Sequence, residues 1–121
     1  MQGALVQEWV TLKGGAGTSI IQGAGDYLDA SYLQDLVFWL DLRTATGSPA
    51  MNFETAPLKE DALFALMVPS VALAVGVAAP TTVFAGDAIV PPGRWVRWRI
   101  SSASAWSLTF RLFLSANQVR P

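Results

Sequence analysis

The sequence predicts an all-β protein, an antiparallel β-sandwich of about eight strands with at most one short helix. First, apolar and polar residues alternate in several segments, and this period-two pattern is typical of strands with one buried face. Second, turn-forming residues separate these segments about every 8–12 residues, the spacing of sandwich folds. Third, helical segments are scarce, which rules out parallel strands joined by helical crossovers.

Two segments late in the sequence, 94–100 and 106–114, alternate most clearly. Their apolar faces are predicted to carry Val96, Trp98 and Ile100 in the first segment and Trp106, Leu108, Phe110, Leu112 and Leu114 in the second. The connection over 101–105 is short and polar, as in a hairpin. We therefore expect two neighbouring strands of one sheet, with an inner face that needs a second layer to cover it.

Further strands are predicted at 5–12, 18–22, 26–29, 35–43 and 50–55. In the first of them Val6 and Val10 share a face, whereas Leu5 and Trp9 follow the alternation less strictly. The 35–43 strand is a long core strand, and its inner face carries Leu36, Phe38, Leu40 and Leu42. Because turn-forming residues fill the gap that follows it, we expect 35–43 and 50–55 to form a hairpin.

The segment 57–67 is the only credible helix. Pro57 and the acidic residues after it suit a helix N-terminus, and Pro69 ends the segment. Two more strands are predicted at 71–77 and 81–85.

The uncharged stretch 62–86 is long enough to span a bilayer, which takes roughly 20 residues. We nevertheless expect no membrane segment, because Pro69 and Pro80 interrupt the stretch and no Lys or Arg cluster flanks it. The first residues also lack the basic and apolar regions of a secretory signal.

The composition excludes most of the usual catalytic groups. The 121 residues contain no cysteine and no histidine, so the usual thiol, general base and metal ligand are missing. This length fits a single sandwich domain over 1–121. The net charge of −1, with acids and bases mixed along the chain, argues against a nucleic-acid partner. We predict no catalytic residues, no cofactor and no metal site, and therefore no enzyme activity.

The charged fraction is unusually low. Asp, Glu, Lys and Arg make up 14% of the residues, against about 25% in ordinary soluble domains, and hydrophobic residues make up 52%. The core of an interface is depleted of charge relative to a free surface. We therefore expect the chain to bury surface against partners, as a homo-oligomer or on a lattice.

Carboxylate pairs are the remaining catalytic candidates. Asp35 and Asp41 lie about 20 Å apart on one predicted strand, too far to share a substrate atom. Asp26 and Asp29 lie beside a glycine-rich turn, where Asp commonly bonds its own backbone. These two carboxylates are also too sparse for the six to eight oxygens that calcium takes. A structural turn is the preferred interpretation.

A band of arginine and tryptophan is the best candidate for an interface or ligand face. It comprises Trp39, Trp95, Arg97, Arg99 and Arg111, with Arg94 beside them. The first interpretation is structural, with arginines paired to acids such as Asp41 and Glu54. The second is an intersubunit contact, because Trp and Arg dominate interface energetics. The third is a glycan face, with Trp95 or Trp39 stacked on a sugar and Arg97 or Arg99 as donors.

The order of these features along the chain carries a resemblance. A Trp-containing first strand is followed by segments 27–29, 35–42, 54–57 and 94–99 and by a final strand of Trp-x-Leu-x-Phe pattern. This order resembles the small jelly-roll modules on tailed-phage and related virion surfaces. Galectin-like and discoidin-like carbohydrate modules share the alternating strands with Trp. The resemblance implies a decoration, fibre-base or minor capsid role, with no catalytic residues.

The leading hypothesis is therefore a non-enzymatic structural protein. It would be a jelly-roll-like sandwich that forms a homo-oligomer or docks on a capsid or particle lattice, at the surface of a virion or particle. The alternative is a carbohydrate-binding module that uses Trp and Arg on an exposed sheet face.

Overall fold

The structure, a computed structural model, describes residues 2–73, 81–85 and 92–118, and the side chains of 4–73 and 92–118. This part of the chain contains ten strands. They are β1 (Gln2–Gly14), β2 (Ser19–Ile21), β3 (Leu28–Asp29), β4 (Leu33–Thr46), β5 (Ala50–Ala56), β6 (Ala65–Leu66), β7 (Val71–Ala72), β8 (Thr81–Ala85), β9 (Trp95–Ser101) and β10 (Trp106–Gln118). Single 3-10 turns lie at Ala24–Asp26 and Asp61–Leu63.

The strands form two antiparallel sheets. Sheet A has the order β1-β10-β4-β8, and sheet B has the order β2-β9-β5-β6. In sheet B, β3 also pairs with β9 and β7 also pairs with β5. The prediction of an all-β antiparallel sandwich is confirmed.

The core lies between the sheets. All ten residues that alternation assigns most firmly to the inner faces are buried: Leu36, Phe38, Leu40, Val96, Trp98, Ile100, Trp106, Leu108, Phe110 and Leu112. Phe38 of sheet A stacks on Phe53 of sheet B, with ring centroids 4.1 Å apart. Because aromatic side chains bury large areas, such contacts are the main force holding the two layers together.

Both predicted hairpins are wrong. Strand β9 belongs to sheet B and β10 to sheet A, so the connection 102–105 crosses from one sheet to the other. The same is true of β4 and β5. Alternation determines which face of a strand is buried, but not which strand lies beside it. In each pair the two inner faces meet across the core, and each strand supplies the second layer that the other needs.

The predicted helix at 57–67 is also wrong. The segment contains only the 3-10 turn Asp61–Leu63 and strand β6, and its side chains up to Leu66 lie mostly exposed. A helix this short is marginal unless it packs an apolar face on the core. The buried residues here are instead the consecutive pair Met67 and Val68, which an extended chain places against the core. The proposed strand at 71–77 is seen as β7, and its part from 74 onward lies outside the described residues.

The alternation of apolar and polar residues in strand β1 is imperfect because the strand shifts register twice. Its pairing with β10 shifts register between Leu5 and Gln7 and again between Gln7 and Val10. Such bulges insert an extra residue and re-aim side chains. Val6 and Val10 therefore pack against the core, while Leu5 and Trp9 lie on the outer face.

Within the described ranges, no helix is long and apolar enough to cross a membrane.

Candidate interaction surfaces

The predicted Arg/Trp band is divided between the two outer faces of the sandwich. Trp39 on β4 and Arg111 on β10 belong to sheet A, whereas Trp95, Arg97 and Arg99 belong to β9 of sheet B. The prediction of a single face is therefore corrected. The reason is again the strand pairing, because β9 and β10 lie in different sheets.

Three apolar side chains form a line across the outer face of sheet A. Leu5 pairs with Phe113, and Phe113 pairs with Trp39, so residues from three adjacent strands lie side by side. Leu5 is 49% exposed and Trp39 is 40% exposed. The indole Nε1 of Trp39 donates to the Ser115 hydroxyl at 2.9 Å, which fixes the ring on the sheet.

Two arginines flank this line. Arg111 donates to Asp41 at 2.8 Å and lies 4.8 Å from the Trp9 ring. Arg43 lies 4.8 Å from the same ring. Among the described side chains no carboxylate is within ion-pair distance of Arg43. We call this surface the A patch, formed by Leu5, Trp9, Trp39, Arg43, Arg111 and Phe113.

On sheet B, Arg97 is an internal structural group. Its side chain is 3% exposed and donates to Glu54 at 2.9 Å, to Asp61 at 2.8 Å and to the Tyr27 hydroxyl at 3.0 Å. The Phe64 ring lies 3.8 Å from the guanidinium. Burial by itself lowers the pKa of Arg97, but the hydrogen bonds to Tyr27, Asp61 and Glu54 outweigh it and raise the pKa overall. The arginine therefore stays charged.

Trp95 is surrounded by cations. The Lys59 ammonium lies 4.2 Å from its ring and the Arg94 guanidinium 4.9 Å from it. Lys59 also donates to the Ala24 carbonyl at 3.0 Å, and Arg94 lies 3.5 Å from Asp29. These groups occupy the surroundings of the indole that a sugar ring would use.

The predicted pairing of the arginines with Asp41 and Glu54 is confirmed. Arg111 binds Asp41, and Arg97 binds Glu54. Arg99 also reaches Glu54, at 3.7 Å, and donates to the Ser19 hydroxyl at 3.1 Å.

A loop covers the outer face of sheet B and was not recognised as a surface element from the sequence. We call residues 57–66 the B segment. Its Asp61 and Phe64 close over Arg97, and it leaves Leu58, Leu63 and Leu66 exposed at 56%, 41% and 37%. Glu60 and Lys59 are also exposed, and the Lys59 ammonium contacts the Trp95 ring and the Ala24 carbonyl. The acids of the segment are the available signal for an exposed element, but together with Pro57 they favour a helix.

Three of the acids weighed as catalytic or calcium-binding groups, Asp29, Asp35 and Asp41, accept hydrogen bonds from neighbouring groups of the fold. Asp29 accepts from both the backbone N–H and the hydroxyl of Ser31. These hydrogen bonds, with help from Arg94, hold the pKa of Asp29 below its ordinary value. Asp35 accepts from Asn117, and Asp41 from Arg111. In the described part of the chain, no three acidic side chains cluster as a metal site would need.

Comparisons with known proteins give one remote likeness. No family model and no curated protein matches the chain. Among solved structures, a protein of Bacillus endospore appendages, described as a novel family of disulfide-linked pili, is 18% identical with a TM-score of 0.48. The match covers 99% of this chain and 93% of that chain. The 121 residues here contain no cysteine for such links. The resemblance to phage surface modules stays a prediction.

Proposed function

We propose that this protein is a non-enzymatic structural subunit, folded as one sandwich domain over 1–121. In this proposal it assembles with copies of itself or with the lattice protein of a capsid or other particle, at the surface of that virion or particle. The observation that carries the proposal is the exposure of large apolar side chains on both outer faces. Leu5 and Trp39 lie exposed on sheet A, and three leucines of the B segment lie exposed on sheet B.

The low charge of the chain supports the same proposal. Only 14% of the residues are charged, and some of these charges lie in internal pairs such as Arg97–Glu54. Few charges therefore remain to solvate the outer faces. Exposed apolar residues in contiguous patches mark interaction sites more often than free surface. A subunit that covers these patches in an assembly removes them from water.

A carbohydrate-binding module is less well supported. Of its named groups, Arg97 is buried in ion pairs and Trp95 is surrounded by Lys59 and Arg94. Trp39 keeps an exposed ring, yet its neighbours in the line are Leu5 and Phe113, which offer no hydrogen bonds to sugar hydroxyls.

The test is the solution mass of the purified protein over a dilution series, measured by light scattering. If the protein assembles, its mass exceeds the mass of one chain and falls on dilution. A glycan array with the wild type and Trp39→Ala tests the alternative, a carbohydrate-binding module. Glycan binding that Trp39→Ala abolishes, together with a monomer at every concentration, would replace the assembly proposal.

A further inference from the structure

The A patch and the B segment lie on opposite outer faces of the sandwich. The A patch belongs to sheet A, and the B segment covers sheet B, whose inner face packs on sheet A. A single copy therefore cannot bring the two surfaces together. Each is free to meet the opposite surface of another copy.

The two surfaces match in their apolar parts. The A patch presents Leu5, Phe113 and Trp39 as a continuous line across three strands. The B segment presents Leu58 and Leu63 from its loop. Leu66 joins them on the outer face because it pairs directly with Glu54, whose side chain points to that face.

The two surfaces are opposite in charge. In the A patch the charge of Arg111 is balanced by Asp41, whereas Arg43 has no carboxylate partner among the described residues and leaves the patch positive. The B segment carries two exposed acids against one exposed base, Lys59, whose ammonium lies over the Trp95 ring. Glu60 is exposed, and the Asp61 side chain is 86% exposed although one oxygen binds Arg97.

We infer that copies of this chain bind head to tail, with the B segment of one copy seated on the A patch of the next. This inference rests on the proposed assembly function and names its partner and its surfaces. The leucines cover Trp39 and its neighbours, and Glu60 faces Arg43. Electrostatic complementarity of this kind sets orientation and excludes the alternative in which two A patches face each other.

The arrangement has a consequence for assembly size. A contact between two different surfaces is heterologous, so each added copy exposes a new A patch or B segment. Unless the rotation closes a ring, growth continues beyond the dimer. A contact between identical surfaces would stop at two copies.

Charge exchange at Arg43 and Glu60 tests the inference. Arg43→Glu or Glu60→Arg alone places like charges across the contact, and each raises the concentration for half-association about tenfold or more. The double variant Arg43→Glu/Glu60→Arg restores the contact with reversed polarity and returns association to near the wild-type level. An equimolar mixture of the two single variants also associates. Lys13→Glu, the same charge change at an exposed site on β1 outside the A patch, leaves association unchanged.

The outcomes separate this inference from the proposed function. A wild type that is monomeric at every concentration overturns the head-to-tail contact and self-assembly, and restricts the proposed function to docking on a lattice protein. A wild type that associates, while the single variants associate equally well or the double variant fails to recover, overturns the head-to-tail contact and leaves the assembly function standing. Association that stops at a dimer also overturns it. Growth beyond the dimer with loss in both single variants and recovery in the double variant supports it.

Discussion

Trp98 and Phe110 meet edge to face across the core, with ring centroids 5.5 Å apart and planes at 87°. Trp98 lies on β9 of sheet B and Phe110 on β10 of sheet A. These strands are consecutive in the chain, so the short connection between them folds one apolar face directly onto the other. The contact explains how two strands with large aromatic faces are both buried in a small protein.

The substitution Phe110→Ala should destabilise the protein by about 3–5 kcal/mol, because it removes a fully buried ring and leaves a cavity between the sheets. The midpoint of urea unfolding, measured at fixed protein concentration, reports this loss. Thr44→Ala, at an exposed position on the adjacent strand β4, should stay within about 0.5 kcal/mol of the wild type. A loss below about 1 kcal/mol for Phe110→Ala would place this ring outside the core.

The buried ion pair Arg97–Glu54 should show strong coupling. Arg97→Met leaves Glu54 with only the more distant Arg99 and should cost about 3–5 kcal/mol. The double variant Arg97→Met/Glu54→Leu should cost clearly less than the sum of the two single variants, as chemical denaturation in a double-mutant cycle would measure. Arg94→Met is the matched control. Its partner Asp29 is half exposed, so its loss should cost at most about 1 kcal/mol. Additive single effects would contradict the pairing.

The hydrogen bonds of Ser31 should set the titration of Asp29. These hydrogen bonds lower the pKa of Asp29 in the folded state, so they stabilise the fold at pH values above 3.8, the ordinary pKa. This stabilisation is lost as the pH falls through the lower pKa of the folded state. Ser31→Ala removes the hydroxyl, so the pKa of Asp29 should rise towards 3.8. An NMR titration of the carboxyl carbon measures the shift. An unchanged pKa would show that the Ser31 hydroxyl does not bind Asp29.

Gly47 should resist substitution. Its φ of +81° lies in the left-handed region, and a Cβ at this position would overlap the Ala105 carbonyl oxygen and approach Trp106. Gly47→Ala should therefore destabilise the protein by about 1–3 kcal/mol in thermal or urea unfolding. Gly25→Ala, with open space around it and no positive φ, is the control and should be close to neutral. Equal stability of the two variants would contradict the turn geometry at Gly47.

The buried faces could be predicted from the sequence, but the strand partners could not. Trp98 and Phe110 alternate with polar residues, and this alternation identifies their inward face. Pairing depends on which inner faces meet in three dimensions, so both predicted hairpins failed. The bulges that turn Trp9 onto the A patch leave only a weakened alternation in the sequence.

The candidate site was only partly predictable for a similar reason. Alternation on the strands predicts that the arginines pair with acids such as Glu54, but it does not say that Arg97 is the partner. That Arg97 is buried depends on Asp61 and Phe64. Both come from a segment whose proline and acids favour a helix locally, and tertiary contacts override that local preference.

The mass of the purified wild-type protein by static light scattering, over a dilution series, tests the assembly function most directly. A single chain has a mass of 12.9 kDa. The account predicts a mass well above this value that grows with concentration beyond two copies and falls on dilution. A constant 12.9 kDa at every concentration would contradict it.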